Sequence, residues 1–413
     1  MGILIINFIA GILVFWLCFP FLSILFAGIR NRKITDKSLT NQQKFACIIT
    51  VYKDIDIAWP LVRSLLKQHY PHYHIFLLAD CLEEPVSVPE ETDQKLSLLI
   101  PQQPLNSKVA SINYVLQQLD DSFTHAVIFD PDNLVPVHFL SAIAQGHDHG
   151  YEIVQGKRIA KNIDTTYAAL DALGEYYYDY TVRNVSFRLG SSSTLAGSGM
   201  SIALPVYKLN IASEMLNLQK HGVVVAEDKS LQLEFVKSKK IIAYAPAAVI
   251  FDEKTTSGYQ VSRQRTRWLN SYFKHSTDAL KLLFAGISKL NWNIIYFAVM
   301  VLFPPLSILV VSVVFVLLIL FWANMQMFFI LLAAALLFSL TFLLALLLNR
   351  TPGKVIAAIP QIPLFMSKQM AGLLNMKQAN KDFMVTSHEY KAEITDIWQS
   401  REAEFKNWKI KNS

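Results

Sequence analysis

His125-Ala-Val-Ile-Phe-Asp130-Pro131-Asp132-Asn133 sets a short apolar run against a polar turn. The run Ala126 to Phe129 predicts a buried strand, and Asp130 falls at its carboxyl end. Two carboxylates two positions apart at a strand end can approach one divalent cation together. Mg2+ and Mn2+ favour such hard oxygen ligands. The same residues also suit a plain polar turn, because Asp, Pro and Asn are turn formers. Working outward, Phe45-Ala-Cys-Ile-Ile-Thr-Val-Tyr52 reads as another buried strand, and His74-Ile-Phe-Leu-Leu-Ala-Asp80 as a third, again ending in an acid. Between them Ile57 to Gln68 has helical spacing, with Leu61, Leu65 and Leu66 on one side, and Lys108 to Leu119 predicts a second helix. Strands alternating with helices imply a mostly parallel sheet flanked by helices, an α/β fold. Acids at the carboxyl ends of such strands stand where open α/β sheets bind ligands.

The flanks are different. Hydrophobic residues make up 53% of the 413 and charged residues only 17%, too apolar for an average soluble chain. Residues 1–29 carry no charge and predict a transmembrane helix; Arg30, Arg32 and Lys33 follow and place the next segment on the cytoplasmic side. A signal peptide is disfavoured, because a basic n-region and a small-residue cleavage site are both missing. No charged residue lies between Lys289 and Arg350, enough for two spans over 291–349 with a turn near Trp322-Ala-Asn-Met-Gln326. Residues 350–376, with Pro360 and Pro363, read as an interfacial segment, and 377–413 as a polar cytoplasmic tail. The expected division is thus 1–29, a soluble domain over 30–290, two spans, the interfacial segment and the tail. The net charge of +6 is referred to a membrane surface or an anionic substrate, since there is no basic stripe for nucleic acid. Cys18, Cys47 and Cys81 form no disulfide or metal framework.

Two further clusters carry chemistry-bearing side chains. Ala226-Glu227-Asp228-Lys229 opens a helix, where acids suit the free N–H groups of the first turn; the other reading is that Asp228 is a general base. Gln264-Arg265-Thr266-Arg267-Trp268 precedes the apolar pair. Arg267 offers planar donors for a diphosphate and Trp268 a flat face for a sugar ring. An interfacial anchor is the other reading, and residues 262–285 do look amphipathic.

The order of these clusters resembles glycosyltransferase family 2, in particular its membrane-bound branch with cellulose, hyaluronan and poly-N-acetylglucosamine synthases and ceramide glucosyltransferases. The family's marks run as an acid after the second strand, D-x-D, an E/D pair and Q-x-x-R-W. Here they are Asp80, Asp130-x-Asp132, Glu227-Asp228 and Gln264-x-x-Arg267-Trp268. Connecting pieces match as well: Thr50-Val-Tyr52-Lys-Asp54, Ser64-Leu-Leu-Lys-Gln-His-Tyr-Pro71, Lys108-Val-Ala-Ser-Ile-Asn113, Leu195-Ala-Gly-Ser-Gly-Met200 and Phe251-Asp-Glu-Lys254. Thr50 stands where the family has Pro, and Leu82 to Glu84 keep acids without the usual D-N-C-x-D form.

The resemblance implies a GT-A fold, with transmembrane helices before and after it, and an inverting glycosyltransferase. It implies that Tyr52, Asp80 and Lys108 contact the nucleotide. Asp130 and Asp132 would bind the donor diphosphate with Mg2+ or Mn2+, and Asp228 would deprotonate the acceptor. Gln264, Arg267 and Trp268 would close over the diphosphate and line the acceptor end. Gly197-Ser198-Gly199 is either a close backbone approach to the sugars or an ordinary turn. The expected donor is a UDP-sugar and the expected acceptor a membrane-associated glycan or lipid, at a bacterial cytoplasmic membrane. A processive synthase with partner subunits or as a homo-oligomer, and a non-catalytic assembly or transport subunit, are the alternatives.

Overall fold

The computed structural model describes residues 1–35, 38–83, 94–221, 227–363, 365–366 and 392–400. Glu84, Ala226, the end of the interfacial segment (367–376) and tail residues 377–391 and 401–413 lie outside the described residues. The chain forms two compact units. One comprises residues 34–162, 192–254 and 385–413, the other 1–33, 163–191 and 255–384.

The first unit holds a seven-stranded sheet in the order β3-β2-β1-β4-β6-β5-β7. Its strands are β1 (Phe45–Tyr52), β2 (Tyr73–Asp80), β3 (Leu96–Leu99), β4 (His125–Phe129), β5 (Ile153–Ala160), β6 (Met200–Ala203) and β7 (Ile242–Asp252). β3, β2, β1 and β4 run parallel, whereas β6 is antiparallel to both β4 and β5. This bears out the expected mostly parallel α/β sheet. Phe45 to Ile49 and Ala126 to Phe129 are fully buried, as continuous apolar runs in a sheet covered on both faces must be. Its helices include α2 (Trp59–Leu66), α3 (Lys108–Gln118), α4 (Phe139–Asp148), α7 (Leu204–His221) and α8 (Glu227–Lys237), of which α3, α7 and α8 matter to the site. Ser107 caps α3 by accepting from Ala110 N, which sets Lys108 at the first helical position.

The sheet is tightest where three strands meet. Gly199, at φ +62°, donates from its N to Ile128 O at 2.8 Å, and Gly156 N donates to Gly199 O at 2.8 Å. A Cβ at Gly156 would lie 2.5 Å from the Ala248 carbonyl oxygen, which is backbone and cannot step aside. Gly156→Ala is therefore expected to destabilise this unit by about 1–3 kcal/mol, read as a lower denaturation midpoint; an unchanged midpoint contradicts it.

His125, at the start of β4, and His147 pack together with ring centroids 3.9 Å apart and ring planes tilted by 42°. Burial, then His125, lowers the His147 imidazole to about 3, and burial lowers His125 to about 4. Both stay neutral in the folded chain while their unfolded counterparts take protons near pH 6.5. Their contribution is complete above that pH and is lost as pH falls toward about 4. The denaturation midpoint should fall between pH 7 and 5. His125→Asn should soften that fall by about 1 kcal/mol per pH unit.

The second unit contains α1 (Gly2–Arg30), α5 (Thr166–Tyr178), α6 (Val185–Arg188), α9 (Gly258–Ser288), α10 (Trp292–Leu302), α11 (Leu306–Ala323) and α12 (Met325–Leu348). Of the described helices, α1, α11 and α12 are long and apolar enough to cross a membrane. Ala10, Leu13, Leu17, Pro20 and Ala27 form the buried side of α1, whereas Phe8 and Leu22 are exposed, the pattern of helices packed together in an apolar solvent. The uncharged stretch before Arg350 also holds a short helix, α10, that the sequence reading merged into the pair of spans. Residues 163–191 and 255–288 pack in this unit. Tyr177 of α5 meets Phe342 of α12 at 4.8 Å between ring centroids, and Asn349 Nδ2 donates to Tyr176 O at 2.7 Å.

Candidate active site

The site is assembled at the carboxyl ends of β2 and β4. Asp130 leaves β4 into a turn closed by its own neighbours: Asp130 N donates to Asn133 Oδ1 at 2.9 Å, and Asn133 N donates to Asp130 O at 3.1 Å. The polar-turn reading thus holds, and the turn fixes where the two acids stand. Asp130 is part-exposed, while Asp132 is only 4% exposed.

Lys108 ties three sequence clusters together. Its Nζ donates to Asp130 Oδ1 at 2.6 Å and to the Gly197 carbonyl at 3.0 Å, and lies 3.6 Å from Glu227 Oε1. Burial alone would lower the Lys108 ammonium, but Asp130 and then Glu227 outweigh it and hold it above its ordinary value. Burial pushes the Glu227 carboxyl up; Lys108 opposes this and Asp228 adds to it. Asp228 Oδ2 would lie 3.7 Å from a Cβ at Gly197, whose φ of +79° requires glycine. The Gly-rich loop therefore runs directly beside the E-D pair. The Tyr207 hydroxyl of α7 is buried near Glu227 and Lys108, with no hydrogen-bond partner among the described residues.

Tyr52 and Asp80 occupy the neighbouring strand ends. Asp80 is buried and spends both oxygens on backbone: Leu105 N donates to Oδ1 at 3.0 Å and Asn106 N to Oδ2 at 2.8 Å. Tyr52 Oη donates to Asn106 Oδ1 at 3.4 Å. Lys53, Cys81 and Asn106 all have positive φ here, so the loops after β1, after β2 and before α3 each carry backbone strain at one non-glycine residue.

A group that had no role in the sequence reading sits behind the Asp130–Asn133 turn. Ligand oxygens of Asp130, Asp132 and Asp252 lie within 4.8 Å of one another. Asp252 accepts from Arg158 Nη2 at 2.5 Å, from Lys254 Nζ at 2.8 Å and from Asn133 Nδ2 at 3.3 Å. Glu253 N donates to Asp132 Oδ2 at 3.2 Å, and Lys161 Nζ to the Asp132 carbonyl at 3.2 Å. Burial lowers the Lys161 ammonium, against the opposing pull of Asp132. The hard oxygens of Asp130 and Asp132 fit a divalent cation. Asp252 carries two cationic side chains already and serves to hold the turn. Phe251-Asp-Glu-Lys254 was visible as a motif; its attachment to β5 through Arg158 was not.

Gln264, Arg267 and Trp268 lie on α9, in the second unit. Trp268 is 43% exposed and has the Arg265 guanidinium 4.2 Å from its ring centroid, while Arg265 also pairs with Asp171. Gln264 Oε1 is buried and has no hydrogen-bond partner among the described residues.

A family profile described as "Glycosyltransferase like family 2" matches residues 42–271, more than half of the chain. Among solved structures, the mannosyltransferase PcManGT from Pyrobaculum calidifontis, in complex with GDP-Man and Mn2+, superposes with a TM-score of 0.53 at 15% identity, covering 91% of this chain and 100% of that one. S. aureus TarS 1–349 in complex with UDP-GlcNAc gives 0.36 at 12% identity, over 84% of this chain and 94% of that one. No curated protein matches. The likeness to PcManGT concerns the fold, and it agrees with the sheet described above. With the profile spanning the sheet, the Asp130–Asn133 turn, the E-D pair and the first part of α9, the chain belongs to glycosyltransferase like family 2 and is a glycosyltransferase of GT-A fold.

Proposed function

We propose that the protein is an inverting glycosyltransferase that moves a sugar from a nucleotide sugar, a UDP-sugar in the first instance, to a membrane-associated glycan or lipid. The observation that carries this reading is the single ammonium of Lys108 in contact with Asp130, Gly197 and Glu227, which gathers the metal-type acids, the glycine loop and the E-D pair around one point. In a chain of this family, that point is where a donor diphosphate belongs.

Asp130 and Asp132 would hold Mg2+ or Mn2+ with the diphosphate. Such an ion supplies neutralisation of the charge that grows on the leaving group. Asp228 takes the proton of the acceptor hydroxyl. The freed oxygen forms a bond to the anomeric carbon as the bond to the diphosphate breaks, and the nucleoside diphosphate departs. One displacement inverts the configuration. Tyr52 and Asp80 would border the nucleoside, with the strained loop at Asn106 giving that wall its shape. Gln264, Arg267 and Trp268 would serve the diphosphate and acceptor end. The three membrane-length helices among the described residues support an acceptor held at the bilayer, with the catalytic domain on the cytoplasmic face.

The test is to incubate membranes holding the full chain with a panel of labelled nucleotide sugars and Mn2+ or Mg2+. The expected result is label in a lipid-soluble or membrane-bound product from one donor, with the anomeric configuration inverted. Label incorporated with retained configuration contradicts the mechanism. A single-sugar glycolipid on mass spectrometry rules out processive synthesis, and a long polymer establishes it.

A further inference from the structure

We propose that Arg30 and Arg32, positioned by Arg188, form a binding site for a phosphate oxyanion, filled by the headgroup of an anionic phospholipid. This site belongs to the second unit and does not rest on the transferase reading.

The three arginines meet at the C-terminal end of α1. Asn31 caps this helix in the left-handed conformation, with φ of +36°, and its N donates to Ala27 O at 3.2 Å. Arg188 donates from Nε to Asn31 Oδ1 at 3.0 Å and from Nη2 to Ala27 O at 3.1 Å. It therefore answers the carbonyl end of the helix dipole, which attracts one cation in any case. Arg30 and Arg32 are surplus to that need.

Those two converge on the turn after α6. A Cβ at Gly190 would lie 3.1 Å from Arg32 Nη2 and 3.4 Å from Arg30 Cζ, so both guanidinium groups are within reach of one small anion. Arg32 is seated rather than free to swing. Its N donates to Arg188 O at 3.0 Å, and its Cζ lies 5.0 Å from the centroid of the Phe187 ring. Among the described residues, no carboxylate pairs with any of the three. Arg32 Nη1 is buried and has no hydrogen-bond partner among the described residues. Like charges drawn together beside an unanswered buried donor are costly unless an anion joins them. A phosphate fits, because guanidinium groups match its oxygens in a planar, two-pronged geometry.

The position favours a lipid as the source. α1 is one of the membrane-length helices, so its end falls at headgroup level. Phe26 and Ile29, in its last turns, are 55% and 79% exposed and offer an apolar surface for an acyl chain beside the charged pocket. Lys33 is exposed and takes no part in these contacts, which makes it the internal control.

The experiment uses full-length protein in detergent, titrated with phosphatidylglycerol and phosphatidylcholine by native mass spectrometry and with inorganic phosphate by calorimetry. Phosphatidylglycerol should be retained more strongly than phosphatidylcholine. Arg30→Gln and Arg32→Gln should each weaken it roughly tenfold, and Lys33→Gln should leave it within about twofold. Arg30 is exposed, so its variant reports binding even where Arg32→Gln disturbs folding. Inorganic phosphate binding with the same arginine dependence supports the oxyanion site and makes a free anion its occupant. Equal weakening by all three substitutions would show diffuse interfacial charge and overturn the proposal. So would equal retention of both lipids with no arginine dependence.

Discussion

Asp228→Asn is expected to lower sugar transfer by roughly 10²–10⁴-fold while leaving binding of the nucleoside diphosphate nearly unchanged. The substitution keeps the size and shape of the side chain and removes its capacity to accept a proton. Asp228 lies at the first turn of α8, beside Gly197, with Lys229 Nζ at 4.0 Å from its Oδ2. Asparagine there can still donate and accept hydrogen bonds, so the fold has little reason to respond. The acceptor hydroxyl, by contrast, loses the group that would take its proton as the new bond forms. Single-turnover transfer measures the chemical step, and equilibrium titration with the nucleoside diphosphate measures binding. Unchanged turnover in this variant would sink the assignment of Asp228 as base, and a parallel loss of binding would make it a donor ligand instead. Glu227 is the natural comparison. It is the E-D residue that faces Lys108, so Glu227→Gln should disturb the Lys108 cluster and donor binding together.

Asp132→Asn is expected to cost roughly 10²–10³-fold in transfer, and to abolish most of the gain in nucleoside diphosphate affinity that Mn2+ gives the parent protein. Asp132 is buried, its Oδ2 accepts from Glu253 N, and its carbonyl accepts from Lys161 Nζ. These contacts survive in asparagine, because the amide oxygen still accepts and the backbone is untouched. The negative charge does not survive. It is the charge that would attract a divalent cation amid three cationic neighbours, Arg158, Lys161 and Lys254. Titrating nucleoside diphosphate with and without Mn2+ separates this effect from a folding defect. The parent should tighten with metal, and the variant should bind alike in both conditions. A variant that still tightens with metal contradicts the role of Asp132.

The residues that were hard to read share one property: their polarity is satisfied from far away in the chain. β5 reads Ile-Val-Gln-Gly-Lys-Arg-Ile-Ala, which breaks an apolar run in the middle. Gln155 is nonetheless fully buried, because its Nε2 donates to Ser198 O at 3.0 Å, and Arg158 is held by Asp252. β6 has only four residues and runs antiparallel, so its short run carries little periodicity. α5 looks like any amphipathic helix in a soluble domain, yet Tyr176 and Tyr177 are buried against α12 and Asn349 of the second unit.

The sequence alone determined the strands of the parallel sheet and the apolar helices. A strand buried on both faces must be continuously apolar, and a bilayer-length helix must be uncharged; both demands are local and are written in order along the chain. The acids at the ends of β2 and β4, Asp80 and Asp130, were legible because strand ends are where those runs stop. Only the tertiary structure decided what each acid touches. It gave Asp80 to the Leu105–Asn106 backbone, Asp130 to Lys108, and Asp252 to Arg158, Lys254 and Asn133. Charged groups in a largely buried site take their partners by distance through space, and distance through space is independent of separation along the chain.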